Sequence, residues 1–185
     1  MTSLIYVMGP SGAGKDSIMS YAKQRLSSED RCVFAHRYIT RPSDAGGENH
    51  IALEEQEFER RQKLGLFCMN WSSHGFHYGI GVEVETWLST GLNVVMNGSR
   101  DYLSKAASRF PNLVPVLISV AHDVLRERLM ARGRESESEI EKRIQRNQEF
   151  SLVFPNVVTI RNDGPLDEAG EMFLDLLGQK VVAVK

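Results

Sequence analysis

The apolar positions of this chain fall in blocks whose period changes from block to block. Leu4-Ile5-Tyr6-Val7-Met8 is an unbroken apolar run stopped by Gly9-Pro10, the pattern of a short buried strand. From Lys15 to about Ser27, Ile18, Met19, Ala22 and Leu26 recur at helical spacing. Cys32–Ala35 reads as a second strand, and the charged, helix-forming stretch Glu54–Leu64 as a surface helix. Phe67–Gly81 mixes aromatic, small polar and glycine residues, which suits a small strand-and-turn region. Leu92–Met96 and Leu113–Val120 are core-type strands, with a helix over Asp101–Arg109 between them. Asp123–Arg132 places Val124, Leu125 and Leu129 on one helical face, and Arg132-Gly133-Arg134 breaks it. Ser136-Glu137-Ser138-Glu139 offers two overlapping capping boxes, Ser136 with Glu139 and Ser138 with Glu141, so a helix starts there and runs to about Phe150. Val157–Ile160 is a last strand and Asp167–Leu177 a last helix.

Strands alternating with helices predict an α/β fold, a parallel sheet flanked by helices on both faces. Residues 36–82 break that rhythm and read as a small substrate-binding insert. The expected organisation is one domain over 1–185, with a core formed by 1–35 and 83–185 and a lid at 132–146. A chain of 185 residues suits one domain.

Composition narrows the function classes. Twenty-two basic against 24 acidic side chains leave a net charge of −2, so no bulk positive charge draws the chain to nucleic acid or an anionic membrane. Any anion site is therefore local. Two cysteines, Cys32 and Cys68, cannot build a disulfide framework or a four-ligand zinc site, and two free thiols are the favoured reading. The longest apolar run, Leu113–Ala121, is interrupted by Pro115 and Ser119, and a membrane span needs about 20 residues. With no signal peptide legible, the expected location is the cytoplasm.

The strongest chemical signal is Gly9-Pro10-Ser11-Gly12-Ala13-Gly14-Lys15, between a strand and a helix. Glycines let backbone N–H groups converge on phosphate oxygens, the helix N-terminus adds partial positive charge, and Lys15 adds a full one. ATP is the expected ligand, held by residues Gly9 to Ser17. The position after the lysine, which ordinarily carries a hydroxyl for magnesium, is Asp16, followed by Ser17. Asp16 has two readings: a Mg2+ carboxylate, acting directly or through water, or an acid that merely complements the helix dipole. The expected strands end without an acid, Asn97 following one and Ala121 the other. Arg126, Arg128, Arg132, Arg134, Arg143 and Arg146 flank the glycine break, and an arginine-rich lid over the nucleotide is expected, with Arg132, Arg134 and Arg143 as its phosphate-facing members. The other reading is a solvated face on which arginines pair with the interleaved glutamates.

The phosphate loop, Thr40-Arg41 about 25 residues later, the Gly75-Phe76-His77-Tyr78-Gly79 turn and Arg132-Gly133-Arg134 resemble guanylate kinases. That resemblance implies that Arg41 and Tyr78 hold an acceptor phosphate. Three positions depart from it: Met69 stands where a base-reading glutamate is expected, Asp44 where a second arginine is expected, and Asn97-Gly98-Ser99-Arg100 where a strand ends in an acid. A methionine cannot accept guanine's N–H bonds, so the acceptor is expected to lack guanine. A sister family is more similar. Gly9–Ser17, Ala35–Arg41, Glu48–Leu53 and Asn97–Arg100 resemble the ribose 1,5-bisphosphate phosphokinases of bacterial phosphonate breakdown, where the aspartate after the lysine is usual. This implies transfer of the ATP γ-phosphoryl group to the 5-phosphate of ribose 1,5-bisphosphate, giving 5-phospho-α-D-ribose 1-diphosphate and ADP. The expected acceptor contacts are Arg37, Thr40, Arg41, His50, Tyr78, Asn97 and Arg100, with His36 and His77 as further polar partners. Lys15, Arg132 and Arg143 are the expected catalytic cations. A nucleoside monophosphate kinase and a non-catalytic guanylate-kinase-like binding module are the alternatives, and the oligomeric state stays open, a homodimer being one option.

Overall fold

The computed structural model describes residues 2–27, 29–43, 48–133, 136–149 and 154–182. The chain opens with β1 (Leu4–Met8), α1 (Lys15–Arg25), β2 (Cys32–Phe34), β3 (Tyr38–Ile39) and β4 (Ile51–Ala52). It continues through α2 (Glu55–Lys63), β5 (Phe67–Ser73), β6 (Phe76–Gly81), α3 (Glu83–Ser89), β7 (Asn93–Asn97) and α4 (Leu103–Arg109). It ends with β8 (Leu113–Ser119), α5 (His122–Arg132), α6 (Glu137–Glu149), β9 (Val158–Arg161) and α7 (Leu166–Val182).

Five strands form a parallel sheet in the order β2-β7-β1-β8-β9. β1 is central and buried at every residue, which explains its continuous apolar sequence: helices cover both faces, so neither needs polar side chains. Its side chains alternate between two cores. Ile5 and Val7 join α1, α5, α6 and α7 through Ile18, Leu125, Ile140 and Phe173. Leu4, Tyr6 and Met8 join the opposite face with Met69, Ile80, Met96 and Leu103. A single charge at Ile5 would break the fold, because burying such a side chain contributes about 1.5–3 kcal/mol and an unpaired charge there costs several more.

Residues Tyr38 to Gly81 supply a second sheet, ordered β4-β3-β6-β5, whose β5–β6 hairpin is antiparallel and whose β3–β4 pair is parallel. Its inner side chains, Met69 and Ile80, seat it on the second core. A bulge between Phe67 and Met69 adds one residue, so Cys68 and Met69 both turn inward.

The sequence pattern does not anticipate β3, β4 or α3. The expected strand Leu92–Met96 runs one residue later, which draws Asn97 into β7. At α6 the Ser136–Glu139 box forms in part: Glu139 accepts from the Ser136 N–H at 2.8 Å and from its hydroxyl at 2.6 Å. The second box does not form, since Glu141 pairs with Arg126 and Ser138 Oγ lies against Ser136 Oγ. The expected helix end at Phe150 lies outside the described residues. Both cysteines are free, Cys68 buried and Cys32 half-buried. Among the described residues no helix is long and apolar enough to cross a membrane.

Candidate active site

The neighbouring strands β1 and β7 send their connections to opposite faces of the sheet, β1 through α1 to β2 and β7 through α4 across to β8. The crevice at the carboxyl ends of such strands is where open α/β sheets bind ligands. Residues 9–14 leave β1 at that point. Gly9 has φ 153°, and a Cβ there would lie 2.4 Å from the Ile118 carbonyl oxygen. Gly14, left-handed at φ 88° and ψ 17°, caps α1. The loop is braced from behind by Asn162, 4% exposed, whose Nδ2 donates to the Ala13 carbonyl at 2.7 Å. Lys15 Nζ donates to the carbonyls of Gly9 and Pro10, both at 2.9 Å, which seats the ammonium inside the loop's curl. Burial lowers the Lys15 pKa to about 8, against the pull of neighbouring Asp16 toward the charged form.

Asp16 begins the helix and meets the end of β7. Asn97 Nδ2 donates to Asp16 Oδ1 at 3.0 Å, while the Asn97 Oδ1 is buried without a partner. Magnesium in phosphoryl-transfer sites takes one or two carboxylates and completes its shell with phosphate and water oxygens. One carboxylate beside one orphaned amide oxygen, both hard donors, fits that demand. Among the described residues no three of His, Cys, Asp and Glu converge on one point.

Across the cleft, β3 and its approach carry Arg37. Its Nε donates to Glu48 Oε1 at 2.7 Å and its Nη2 pairs with the other carboxylate oxygen. The two side chains are 14% and 11% exposed, and burial lowers the Arg37 pKa to about 10. The guanidinium carbon stands 5.0 Å from the centre of the Tyr78 ring, which stacks on Trp71 at 5.5 Å and 3°. Arg41 Nε is buried without a hydrogen-bond partner. Arg100 Nη1 donates to Asn147 Oδ1 at 2.6 Å, tying the end of β7 to α6. The loop, the end of β7 and the arginines of the second sheet share one cleft of about 490 Å³, which six cationic and three acidic side chains face in a chain of net charge −2.

Gly9, Ser11, Gly12, Gly14, Lys15, Asp16 and Ser17 line the cleft, as do Arg37, Arg41, Tyr78, Asn97, Arg100, Arg132 and Arg143. Pro10 and Ala13 do not; their carbonyls hold Lys15 and Asn162. Thr40 also stays out, its hydroxyl accepting the His77 N–H at 2.9 Å. His50 is buried with Nε2 against the Arg41 carbonyl at 3.0 Å and Nδ1 against that of Glu48 at 3.1 Å, so it ties the backbone of one to that of the other. His36 meets Asn49, and His77 stacks on Phe58. Arg134 and Asp44 lie outside the described residues. Met69, read as the base-facing position, is 1% exposed in the core, because the bulge before it reverses the facing. Trp71, Glu48 and the hairpin-tip residues Ser73 and His74 line the cleft without having been singled out. Glu48 had one usable signal, its place at the head of Glu48–Leu53, a segment that carries the family resemblance.

The parallel sheet, the braced glycine loop and the cation-lined cleft define a phosphoryl-transfer enzyme of the P-loop kinase class. Comparisons with known proteins narrow the class. The AAA domain family matches residues 5–148. The chain is 52% identical over 183 residues to ribose 1,5-bisphosphate phosphokinase PhnN of Desulfomicrobium baculatum, covering 99% of this chain and 98% of that one. It is 54% identical over 182 residues to the protein of the same name from Psychromonas ingrahamii, covering 98% and 92%. In three dimensions it resembles the guanylate kinase of Anaplasma phagocytophilum, with a TM-score of 0.71 at 14% identity, covering 97% of this chain and 86% of that one. The chain belongs to the AAA domain family and to the ribose 1,5-bisphosphate phosphokinases.

Proposed function

We propose that this protein transfers the γ-phosphoryl group of ATP to ribose 1,5-bisphosphate, giving 5-phospho-α-D-ribose 1-diphosphate and ADP, as a step of phosphonate breakdown. One observation carries the reading: a single cleft joins the phosphate loop to a second group of cations on the adjoining sheet. The family supplies the acceptor's identity. Chemistry corrects one expectation. A 1-diphosphate forms only when the 1-phosphate attacks, so the 5-phosphate is a binding handle and not the nucleophile.

In this reading ATP lies along the phosphate loop with Lys15 against its terminal phosphates. The acceptor lies across the cleft, with Arg37, Arg41 and Arg100 on its phosphates and Tyr78 with Trp71 beneath the sugar. An acceptor phosphate is ionised at neutral pH and needs no general base; in-line positioning and charge neutralisation do the catalytic work. Magnesium, held through Asp16, would add to that neutralisation. Arg132 and Arg143 approach from the α5–α6 side, where a lid over 132–146 would exclude water that otherwise hydrolyses ATP. The protein is read as cytoplasmic, with no nucleic-acid or membrane partner.

The test supplies magnesium-ATP with ribose 1,5-bisphosphate or with GMP and identifies the products. The reading expects the 1-diphosphate from the sugar and nothing from GMP; GDP formation would return the protein to the nucleotide kinases. Arg41→Ala should raise the acceptor KM and leave that of ATP unchanged.

A further inference from the structure

We propose that two partners of the P-loop metal site have exchanged places in this chain. Asp16 on the loop carries the charge, and Asn97 at the end of β7 is the neutral residue that positions it. In the usual arrangement the loop supplies a Ser or Thr hydroxyl and a strand end supplies the aspartate. Here the loop residue is the acid and the strand residue is the amide. The locations are the expected ones. Asp16 follows the loop lysine at the start of α1, and Asn97 sits opposite Val7 on the strand next to β1.

The hydrogen bond gives the pair its sense. An amide nitrogen can only donate and a carboxylate can only accept, so Asn97 Nδ2 at 3.0 Å pins Asp16 Oδ1 and leaves Oδ2 for a cation. The reversed amide would set oxygen against carboxylate and is excluded. The other end of the amide is the second clue. Asn97 is 5% exposed, lines the cleft, and its Oδ1 has no partner. An unpaired buried acceptor is costly, and a metal-bound water is a donor of the right kind. The exchange conserves one negative charge at the site, whereas an acid at both positions would set two carboxylates about 3 Å apart and repel. The orphaned Asn162 Oδ1 behind the loop does not line the cleft and offers no comparable role.

The inference rests on the reading of this cleft as a magnesium-nucleotide site. Its test therefore uses ADP and metal without any acceptor. Binding of ADP is measured by calorimetry with Mg2+ and with EDTA, and Mn2+ bound to the ADP complex is followed by electron paramagnetic resonance. In the unaltered protein Mg2+ tightens ADP binding. Asp16→Asn should abolish that gain while metal-free ADP binding persists. Asn97→Asp should weaken ADP with or without metal. Asp16→Ser combined with Asn97→Asp should recover the metal gain to within about tenfold of the original and restore the Mn2+ signal. Asn97→Ala, which cannot repel, should cut the metal gain about 10- to 100-fold, the usual loss when a ligand's orienting partner is removed. Retention of the full gain by Asp16→Asn, a doubly exchanged protein no better than Asp16→Asn, or an unaltered gain in Asn97→Ala would each overturn the exchange. An unaltered protein that shows the metal gain but yields no product from ribose 1,5-bisphosphate would sink the acceptor reading and leave the exchange standing.

Discussion

Glu48→Ala removes the carboxylate from the buried Arg37 pair. The two side chains are mostly shielded from water, at 14% and 11% exposed, and removing one partner of a fully buried pair costs about 3–5 kcal/mol. Two features reduce the cost. Arg37 opens onto the cleft, where water reaches it, and it keeps the Tyr78 ring at 5.0 Å, a contact of about 0.5–1 kcal/mol. The expected destabilisation is about 2–3 kcal/mol, which in a chain of this size lowers the unfolding midpoint by about 4–12 °C. The substrate should reverse part of it, because an acceptor phosphate takes the place of the carboxylate. Thermal unfolding of both proteins, with and without ribose 1,5-bisphosphate, reads this directly. The ligand-induced rise should be larger in Glu48→Ala than in the original. Replacing both partners, Arg37→Met with Glu48→Leu, should regain stability while acceptor binding stays lost. A Glu48→Ala midpoint within about 1 °C of the original, or equal ligand-induced rises in the two proteins, would refute the account.

Three further expectations concern the loop. Gly9→Ala forces a Cβ onto the Ile118 carbonyl at 2.4 Å and should cost about 1–3 kcal/mol in chemical denaturation, with loss of ATP binding; wild-type affinity would contradict it. Asn162→Ala leaves the Ala13 carbonyl unpaired and should cost about 1–3 kcal/mol while raising the ATP KM, with the acceptor KM unchanged as the check. Lys15 is proposed to bind phosphate as the cation, and burial lowers its pKa in the free protein to about 8. ATP affinity should therefore be level below pH 8 and fall as pH rises above it, by up to about tenfold per unit; Lys15→Arg should show no such break, because a guanidinium keeps its proton throughout.

β1 and α1 are legible in the sequence because each is held by neighbours in its own stretch of chain: an apolar run closed by glycine, then a helical repeat. The phosphate loop inherits that clarity. β3 and β4 are two residues long and have no period to detect, and α3 buries only Val84. Met69 was placed by its position in a family pattern, which carries no information on burial; the bulge before it and the packing of the second core set its facing. Thr40 and His50 have the right chemistry for an acceptor site but spend it on backbone groups, a matter of where the chain turns. Asn162 carries no local signal, since it reaches the loop across 149 positions of sequence.

That last separation bears on how the protein folds and survives. β1 is completed by strands that begin some 90 residues later, and its loop is braced from farther still. Contacts so distant in sequence form slowly and late. During synthesis the glycine loop emerges before β8 and Asn162, and the contacts that brace it form only once those have followed. Nucleotide should therefore bind molecules in which those distant contacts have formed. If the braced loop forms only after the rate-limiting barrier, stabilisation by nucleotide should appear as slower unfolding, with the folding rate unchanged. In a cell, occupancy by ATP would then protect finished molecules from proteolysis and leave unfinished ones exposed to it.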